Sequence, residues 1–297
     1  QALAGMAGRQ AKEHFRLLLW DTSVETRLRA AWILGKFQQE SSIPALEAAL
    51  ADPAEEVRRQ AVWALGHIPS IKALRVLIQA LHSSKADVAA TAVQSLATLA
   101  QVPELLPAVT HQLFALLADE HGETSQAEEA LLTIGSLAIA ELVAGLNDRR
   151  SKPGQRFRIA RVLGRLGDTR AVPMLIDAIL NTEDGDLAGY LEAIATIGPG
   201  AIPGLIQALA DKDANAAPAL IAALAKIGVP AIEPLTEAMA GNAEMRDAAM
   251  GALKQIGAPA IEALTQTLLH DSRFEMRGRA LEILKDIGDG MIVPLLV

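Results

Sequence analysis

The sequence contains no cysteine, and its 297 residues include one tyrosine, three tryptophans and five phenylalanines. Without cysteine the chain has no disulfide framework and no thiol chemistry, which suits a reducing compartment and predicts a cytoplasmic location. Because aromatic side chains are so scarce, we expect a core of small and aliphatic residues packed at close helix–helix contacts.

Long uncharged runs and excess positive charge are also missing. The longest uncharged run, Ala193–Ala210, is interrupted by Gly198, Pro199, Gly200 and Pro203. We therefore expect a helix–turn–helix there and no membrane span. The formal net charge is −8, from 27 Lys and Arg against 35 Asp and Glu. That balance disfavours broad binding to nucleic acid.

Recognisable catalytic chemistry is absent too. The six histidines show no pairing at helical spacing and have no cysteine partners, so no metal site is predicted. The sequence has no glycine-rich phosphate loop and no Gly-x-Ser-x-Gly nucleophile elbow. We expect no catalytic residues, no metal and no cofactor.

What the chain does have is a repeat of about 31 residues. The last positions of successive repeats are Gln38, Pro69, Ala100, Gly135, Gly167, Gly198, Gly228, Gly257 and Gly288. The longest step runs from Ala100 to Gly135, and we expect irregular loops near residues 119–154. Such self-similarity indicates stacked helix pairs, because one pair cannot bury its apolar face alone. The prediction is an all-α, right-handed α-solenoid of about nine helix pairs, forming a single domain over residues 1–297.

Residues 42–69 show what one repeat contains. A short first helix, helix A, places four apolar residues on one face: Ile43, Leu46, Ala49 and Leu50. Asp52-Pro53 ends it. The second helix, helix B, buries a stripe formed by Val57, Ala61, Ala64, Leu65 and Ile68. In later repeats a glycine closes helix B where the chain turns left-handed: Gly167, Gly198, Gly228 and Gly257.

Two segments carry a family resemblance, the run from Val57 to Gly66 (VRRQAVWALG) and the run from Gly167 to Leu175 (GDTRAVPML). The sequence resembles HEAT repeats, in particular the short bacterial kind named after phycobilisome-lyase (PBS lyase) subunits. The resemblance covers essentially the whole chain. It implies an armadillo-like helical scaffold whose B helices line a concave docking face.

A further family feature is an Asp six residues before an Arg, at Asp21/Arg27, Asp52/Arg58 and Asp271/Arg277. The resemblance implies that these residues form a ladder of hydrogen bonds between stacked repeats. The alternative is a recurring charge site for a ligand. Stapling between repeats is favoured, because a buried Arg usually satisfies neighbouring carboxylates and carbonyls.

The first candidate binding site surrounds Trp32 and Trp63, which occupy equivalent positions in adjacent repeats. Four polar residues flank them: Arg29, Lys36, Arg59 and His67. Exposed Trp beside Arg is typical of an interface anchor. The alternative is ordinary packing, in which each Trp covers the groove between B helices.

The second candidate site is a row of cations, Arg158, Arg161 and Arg165, on one face of a B helix. It is the densest positive patch in an acidic chain and suits an acidic peptide segment or a phosphate. The alternative is a solvated face, or pairing with Glu129 and Glu192 on neighbouring repeats.

These observations predict a non-enzymatic, monomeric scaffold that binds a protein partner, with an acidic segment as one candidate ligand. One alternative is a bilin lyase-like subunit with Trp walls and Arg for tetrapyrrole propionates, suggested by the run RAAWILGKF at 29–37. Another is a HEAT-like DNA-binding protein, although four acidic residues interrupt the basic stripe that it needs: Glu129, Glu192, Glu282 and Asp286.

Both ends of the chain match only part of a repeat, residues 1–8 the end of a helix B and residues 288–297 the start of a helix A. We therefore expect the chain to be a portion of a longer protein. Uncapped repeats of this kind allow end-to-end association.

Overall fold

The structure is a computed structural model that describes residues 13–118, 124–148, 151–181, 187–211 and 217–288. The described residues are helical with short connections and contain no β-strand. The chain divides into two compact units, residues 1–145 and residues 146–297. The predicted terminal half-repeats, at 1–8 and 288–297, lie outside the described residues except for Gly288.

In the part of the first unit that the structure describes there are eight helices and most of a ninth. They are α1 (13–18), α2 (Val24–Phe37), α3 (Ile43–Ala49), α4 (Glu55–Gly66), α5 (Ile71–Leu81), α6 (Ala86–Leu99), α7 (Leu106–Leu117), α8 (Thr124–Ile134) and α9 (Ile139–Asn147). The B helices α2, α4, α6 and α8 pack side by side in chain order, and the A helices α3, α5 and α7 form a second layer behind them. Each A helix of that layer also packs on the B helix that follows it.

The second unit repeats this arrangement. Its helices are α10 (Pro153–Leu166), α11 (Val172–Asn181), α12 (Leu187–Ile197), α13 (Ile202–Asp211), α14 (Ala217–Ile227), α15 (Ile232–Ala238), α16 (Ala243–Ile256), α17 (Ile261–His270) and α18 (Phe274–Ile287). The even-numbered B helices pack in chain order, and the odd-numbered A helices from α11 to α17 form the other layer. The all-α solenoid prediction is confirmed in both units, while a single continuous domain over 1–297 stays a prediction.

The core follows the predicted apolar stripes. In α4 the side chains of Val57, Ala61 and Leu65 are 0% exposed. In α3, Ile43 and Leu46 are buried against them. Because the chain turns at Asp52-Pro53 between these helices, both stripes face the same interior.

The glycines predicted to close B helices do adopt left-handed backbone. The φ angles are 67° at Gly167, 73° at Gly198, 77° at Gly228 and 74° at Gly257. Gln38 holds the equivalent position after α2 and has a φ of 52°, which is unfavourable for a residue with a Cβ. Gln38 is therefore a strained member of an otherwise glycine-rich series.

Neighbouring B helices approach each other so closely that a methyl group would not fit between them. A Cβ placed on Gly35 of α2 would lie 2.8 Å from the Cα of Ala64 in α4. A Cβ on Gly164 of α10 would lie 2.7 Å from the carbonyl oxygen of Ala193 in α12. The expectation of small, close helix–helix contacts is confirmed, because these glycines set the distance between successive repeats.

Two stretches, residues 124–147 and 187–210, are long and apolar enough to cross a membrane by length and composition alone. The structure divides each into two helices at a 3₁₀ turn, Gly135–Ala138 and Gly198–Ala201. The glycine that opens each turn has positive φ. The predicted helix–turn–helix at 193–210 is therefore confirmed.

Candidate functional site

A ladder of buried ion pairs connects the first B helices. Arg27 of α2 donates from Nε and Nη2 to the carboxylate of Asp52, at 2.7 and 2.9 Å. Its Nη1 donates to the carbonyl oxygens of Asp21 and Thr22 at 2.9 and 3.1 Å. The predicted pair Asp21/Arg27 thus works across repeats, because Arg27 binds the carboxylate of the next repeat and the carbonyl of its own Asp. In the predicted pair Asp271/Arg277, Arg277 donates to the carbonyl oxygen of Asp271 at 3.3 Å, while the carboxylate of Asp271 is bound by Arg273.

The next rung repeats this geometry with a residue that the sequence pattern did not reveal. Arg58 donates to the carboxylate of Asp87 at 2.8 Å and to the carbonyl oxygen of Asp52 at 2.9 Å. Asp87 was not expected in the ladder because Val93 stands where the pattern requires an Arg. Asp87 follows Arg58 by 29 residues, whereas Asp52 follows Arg27 by 25, so the spacing does not point to Asp87 either.

The arginines alter the acidity of their partners. The hydrogen bond from Arg27 holds the pKa of Asp52 below its usual value, against the opposing effect of burial. Arg58 lowers the pKa of Asp87 in the same way. Both carboxylates therefore stay charged at neutral pH, as a structural ladder requires.

The tryptophan surface comprises the six residues predicted around the Trp pair: Arg29, Trp32, Lys36, Arg59, Trp63 and His67. They lie on α2 and α4 or directly after α4, and all are at least partly exposed. Trp32 is 48% exposed, whereas Trp63 is half-buried. The structure brings these residues together on one face of two adjacent helices.

The centre of the tryptophan surface is a cation shared by two rings. The Nζ of Lys36 lies 5.7 Å from the centroid of Trp32 and 5.4 Å from that of Trp63, within cation–π distance of both. The ring of Trp63 also stacks on His67, with centroids 3.9 Å apart. The absence of a side chain on Gly35 leaves room for the Trp63 ring beside α2.

The two arginines of this surface pair locally. Arg29 donates to Glu25 at 2.5 Å, and Arg59 lies 3.5 Å from Glu55, both at i, i+4 spacing on exposed helix faces. Such exposed pairs contribute little to stability and open easily. Both arginines thus remain accessible to a competing carboxylate.

The arginine row, Arg158, Arg161 and Arg165, lies along α10 in the second unit. Arg161 and Arg165 are exposed and Arg158 is half-buried. The guanidinium carbon of Arg161 lies 5.8 Å from the ring centroid of Phe157. That ring in turn packs against Gly189 of α12, where a Cβ would overlap it. Arg161 is therefore positioned by a fixed aromatic ring.

Cations from neighbouring helices neutralise acids on the outward face of this unit, which is the face of the B helices that points away from the A helices. Glu192 of α12 forms a 2.8 Å ion pair with Lys226 of α14. Lys254 of α16 lies 2.6 Å from Asp286 and 3.5 Å from Glu282 on α18. Within the ranges that the structure describes, no group of three or more His, Cys, Asp or Glu is arranged to hold a metal ion.

Comparison with protein families and solved structures gives consistent matches. A HEAT-repeat model matches residues 11–97 and 202–285, and a PBS lyase HEAT-like repeat model matches residues 155–181. These ranges include α2 and α4 of the tryptophan surface and most of α10. Among curated proteins, none matches the chain.

Solved structures similar to this chain include the complex of CpcE and CpcF of phycocyanin lyase from a Nostoc species. It shares 24% identity over 93% of this chain and 94% of that chain, with a TM-score of 0.31. Human deoxyhypusine hydroxylase shares 23% identity over 76% and 99%, with a TM-score of 0.30. Kap121p bound to Pho4p shares 12% identity over 94% and 37%, with a TM-score of 0.40.

Proposed function

The chain belongs to the HEAT-repeat family, and from that premise we propose that it is a non-enzymatic cytoplasmic scaffold that binds a protein partner on the outward faces of its B helices. One observation carries the proposal. Trp32 leaves almost half of its surface in solvent beside accessible arginines, on a face built from adjacent repeats. Exposed Trp with Arg is the composition of binding hot spots.

The arginine row supports a second contact with the partner. Two exposed guanidiniums, with Arg161 held against Phe157, suit bidentate binding to carboxylates. We therefore propose that the partner presents an acidic segment to α10. The two surfaces lie in different units, and each is tested by its own variants.

The tetrapyrrole alternative is not adopted. A flat ligand held between two indole walls needs the space between them to be open, but the ammonium of Lys36 already lies within cation–π distance of both rings. Mixing the protein with a bilin tests this directly. A shift of the visible absorption band that disappears in Trp32→Ala would favour the alternative.

The experiment that tests the scaffold is a pull-down from native lysate. It compares wild type with Trp32→Ala/Trp63→Ala and with Arg158→Glu/Arg161→Glu. The controls are Ile71→Ala/Leu137→Ala and Lys72→Glu/Arg75→Glu, which make comparable changes at exposed positions away from the B-helix faces.

The proposal expects a protein that wild type and both controls capture and that at least one test variant loses. A partner retained by both test variants but lost by the Lys72/Arg75 control would place the interface on the A helices and overturn the proposed site. Circular dichroism of every variant shows whether a loss of binding reflects a loss of folding.

A further inference from the structure

A groove that shares Arg59 and Trp63 with the tryptophan surface has the opposite electrostatic character from the arginine row. It has a volume of about 780 Å³ and crosses the outward faces of α4, α6 and α8 in the first unit. Its lining includes Trp63, Gln60 and Gln94, which give it an apolar wall and amide groups able to donate and accept hydrogen bonds.

Carboxylates dominate the charge of this groove. Four acidic side chains line it, Glu55, Glu56, Asp87 and Glu129, against a single cation, Arg59. Asp87 is already bound by Arg58, and Arg59 lies near Glu55. Glu56 and Glu129 have no ion-pair partner within the described parts of the chain, and both are exposed. Their charges therefore face the groove without compensation.

We propose that this acidic groove binds an extended basic segment of the protein partner, an inference that rests on the proposed scaffold function. Complementary charge steers such an encounter and rejects acidic competitors. Packed helices lie about 8–10 Å apart, so the path across three B helices and the edge of α2 spans roughly 25–30 Å. An extended peptide of about eight residues covers that length at about 3.3 Å per residue.

Trp63 gives the groove a second means of recognition. Its indole forms part of the wall, and Lys36 already uses that ring as a cation–π acceptor. Because Lys36 and His67 already lie against that ring, a Lys or Arg of the bound segment is attracted chiefly by the adjacent carboxylates and packs its methylene groups on the exposed part of the indole. Basic residues interleaved with small ones fit this lining better than a continuous apolar stretch.

The test uses a fluorescein-labelled ten-residue peptide of alternating Lys and Gly, and a matched peptide with Glu in place of Lys. Fluorescence anisotropy is measured at low and at high salt. The test variant is Glu56→Lys/Glu129→Lys. The control is Glu233→Lys/Glu262→Lys, which changes the net charge equally at exposed positions on α15 and α17. Melting curves establish that both variants are folded.

The proposal expects wild type and the control to bind the basic peptide alike, and the test variant to bind roughly tenfold more weakly or worse. Added salt should weaken wild-type binding, because the charges are exposed. Equal losses of peptide affinity in the test and control variants would show that binding depends only on net charge, and would contradict a binding site in the groove. Absence of binding to wild type, or equal binding of the acidic peptide, would overturn it as well.

A single-tryptophan protein locates the bound peptide. The chain has three tryptophans, so Trp20→Phe/Trp32→Phe leaves Trp63 as the only indole emitter. Binding in the groove should change the emission of Trp63, whereas binding with unchanged emission would place the peptide elsewhere and contradict the proposal.

Failure of the groove and failure of the scaffold are distinguishable. If no basic peptide binds but the pull-down yields a partner whose capture depends on Trp32 and Trp63, the proposed scaffold function is supported and the proposed peptide site in the groove is rejected. If the pull-down yields no dependent partner but the basic peptide binds and is lost in the Glu56/Glu129 variant, the groove stands without the proposed docking surfaces.

Discussion

Arg27 and Asp52 are separated by 25 residues in the sequence and joined by two hydrogen bonds of 2.7 and 2.9 Å in the structure. The Arg side chain is 10% exposed and the Asp side chain 7% exposed. Together with Arg58 and Asp87 they fix three successive B helices relative to one another. The ladder explains why these charges are structural and are not available to a ligand.

The ladder should make stability depend on acid pH. The pKa of Asp52 and of Asp87 is lowered in the folded state from 3.8, so their contribution is complete above about pH 5 and is lost as the pH falls through the lowered folded values. We expect Asp52→Asn/Asp87→Asn to lower the melting temperature by about 3 to 6 °C at pH 7. Below about pH 4 the difference from wild type should shrink.

Thermal melts of both proteins between pH 7 and pH 3 check this dependence. The control is Asp247→Asn, whose carboxylate is 70% exposed. That variant should follow wild type at every pH. A difference between the double variant and wild type that stays constant down to pH 3 would contradict a charged ladder.

The close approach of B helices predicts that replacing Gly35 by a residue with a Cβ lowers the free energy of unfolding. Gly35→Ala places a methyl 2.8 Å from backbone of α4, which cannot yield as a flexible side chain would. We expect a loss of about 1–3 kcal/mol in the free energy of unfolding. Gly278→Ala is the control, because its Cβ meets nothing within 4 Å in α18. It should gain about 0.5–1 kcal/mol from helix propensity.

Urea denaturation measures both changes. Opposite signs for the two substitutions are the expected result. If Gly35→Ala is neutral or stabilising, the spacing of α2 and α4 is adjustable and the glycine does not set it.

The strained turn after α2 predicts a stabilising substitution. Gln38 has a φ of 52°, where a residue with a Cβ costs about 1–2 kcal/mol. Gln38→Gly should therefore raise the free energy of unfolding by roughly 0.5–1 kcal/mol, after the entropy cost of glycine. Gln39→Gly is the matched control. Gln39 has a φ of −104°, so glycine there should destabilise. Chemical denaturation of the two variants decides between these outcomes, and equal effects would show that the φ of Gln38 carries no cost.

The two tryptophans should differ in their effect on stability. Trp32 is 48% exposed, whereas Trp63 is half-buried, stacks on His67 and lies beside Gly35. We expect Trp63→Ala to lower the free energy of unfolding by roughly 2 kcal/mol and Trp32→Ala by less than about 1 kcal/mol. Equilibrium unfolding of the single variants is the measurement. Equal large losses would identify both rings as packing residues and weaken the case for Trp32 as an anchor.

The repeat pattern accounts for most of the fold. Apolar spacing predicts helices A and B of residues 42–69, and the recurring glycines predict left-handed turns, because both depend on local geometry. The pattern does not predict the close contact at Gly35, since a glycine inside a helix gives no sign of what lies opposite. That information belongs to the neighbouring helix.

The candidate surfaces were less accessible to sequence reasoning. The spacing of the tryptophans predicts that Trp32 and Trp63 are neighbours, and the structure places them so. Trp63 is the less exposed of the two because it lies against Gly35 and His67, and these contacts form only in the folded structure. Pairing of Arg29 with Glu25 and of Arg59 with Glu55 was readable from i, i+4 spacing. The role of Asp87 could not be read from the sequence, because Val93 stands where the other Asp/Arg pairs have an Arg.

The ladder of Arg27–Asp52 and Arg58–Asp87 has a direction. The repeat that contains Asp52 and Arg58 offers an acceptor to the repeat before it and a donor to the repeat after it. If residues 43–73 were duplicated in tandem, Arg27 would bind the first copy of Asp52. The first copy of Arg58 would bind the second copy of Asp52. The second copy of Arg58 would then reach Asp87. The chain can thus lengthen by whole repeats without leaving a buried charge unpaired, so length is a property that this architecture can change in single, interchangeable steps.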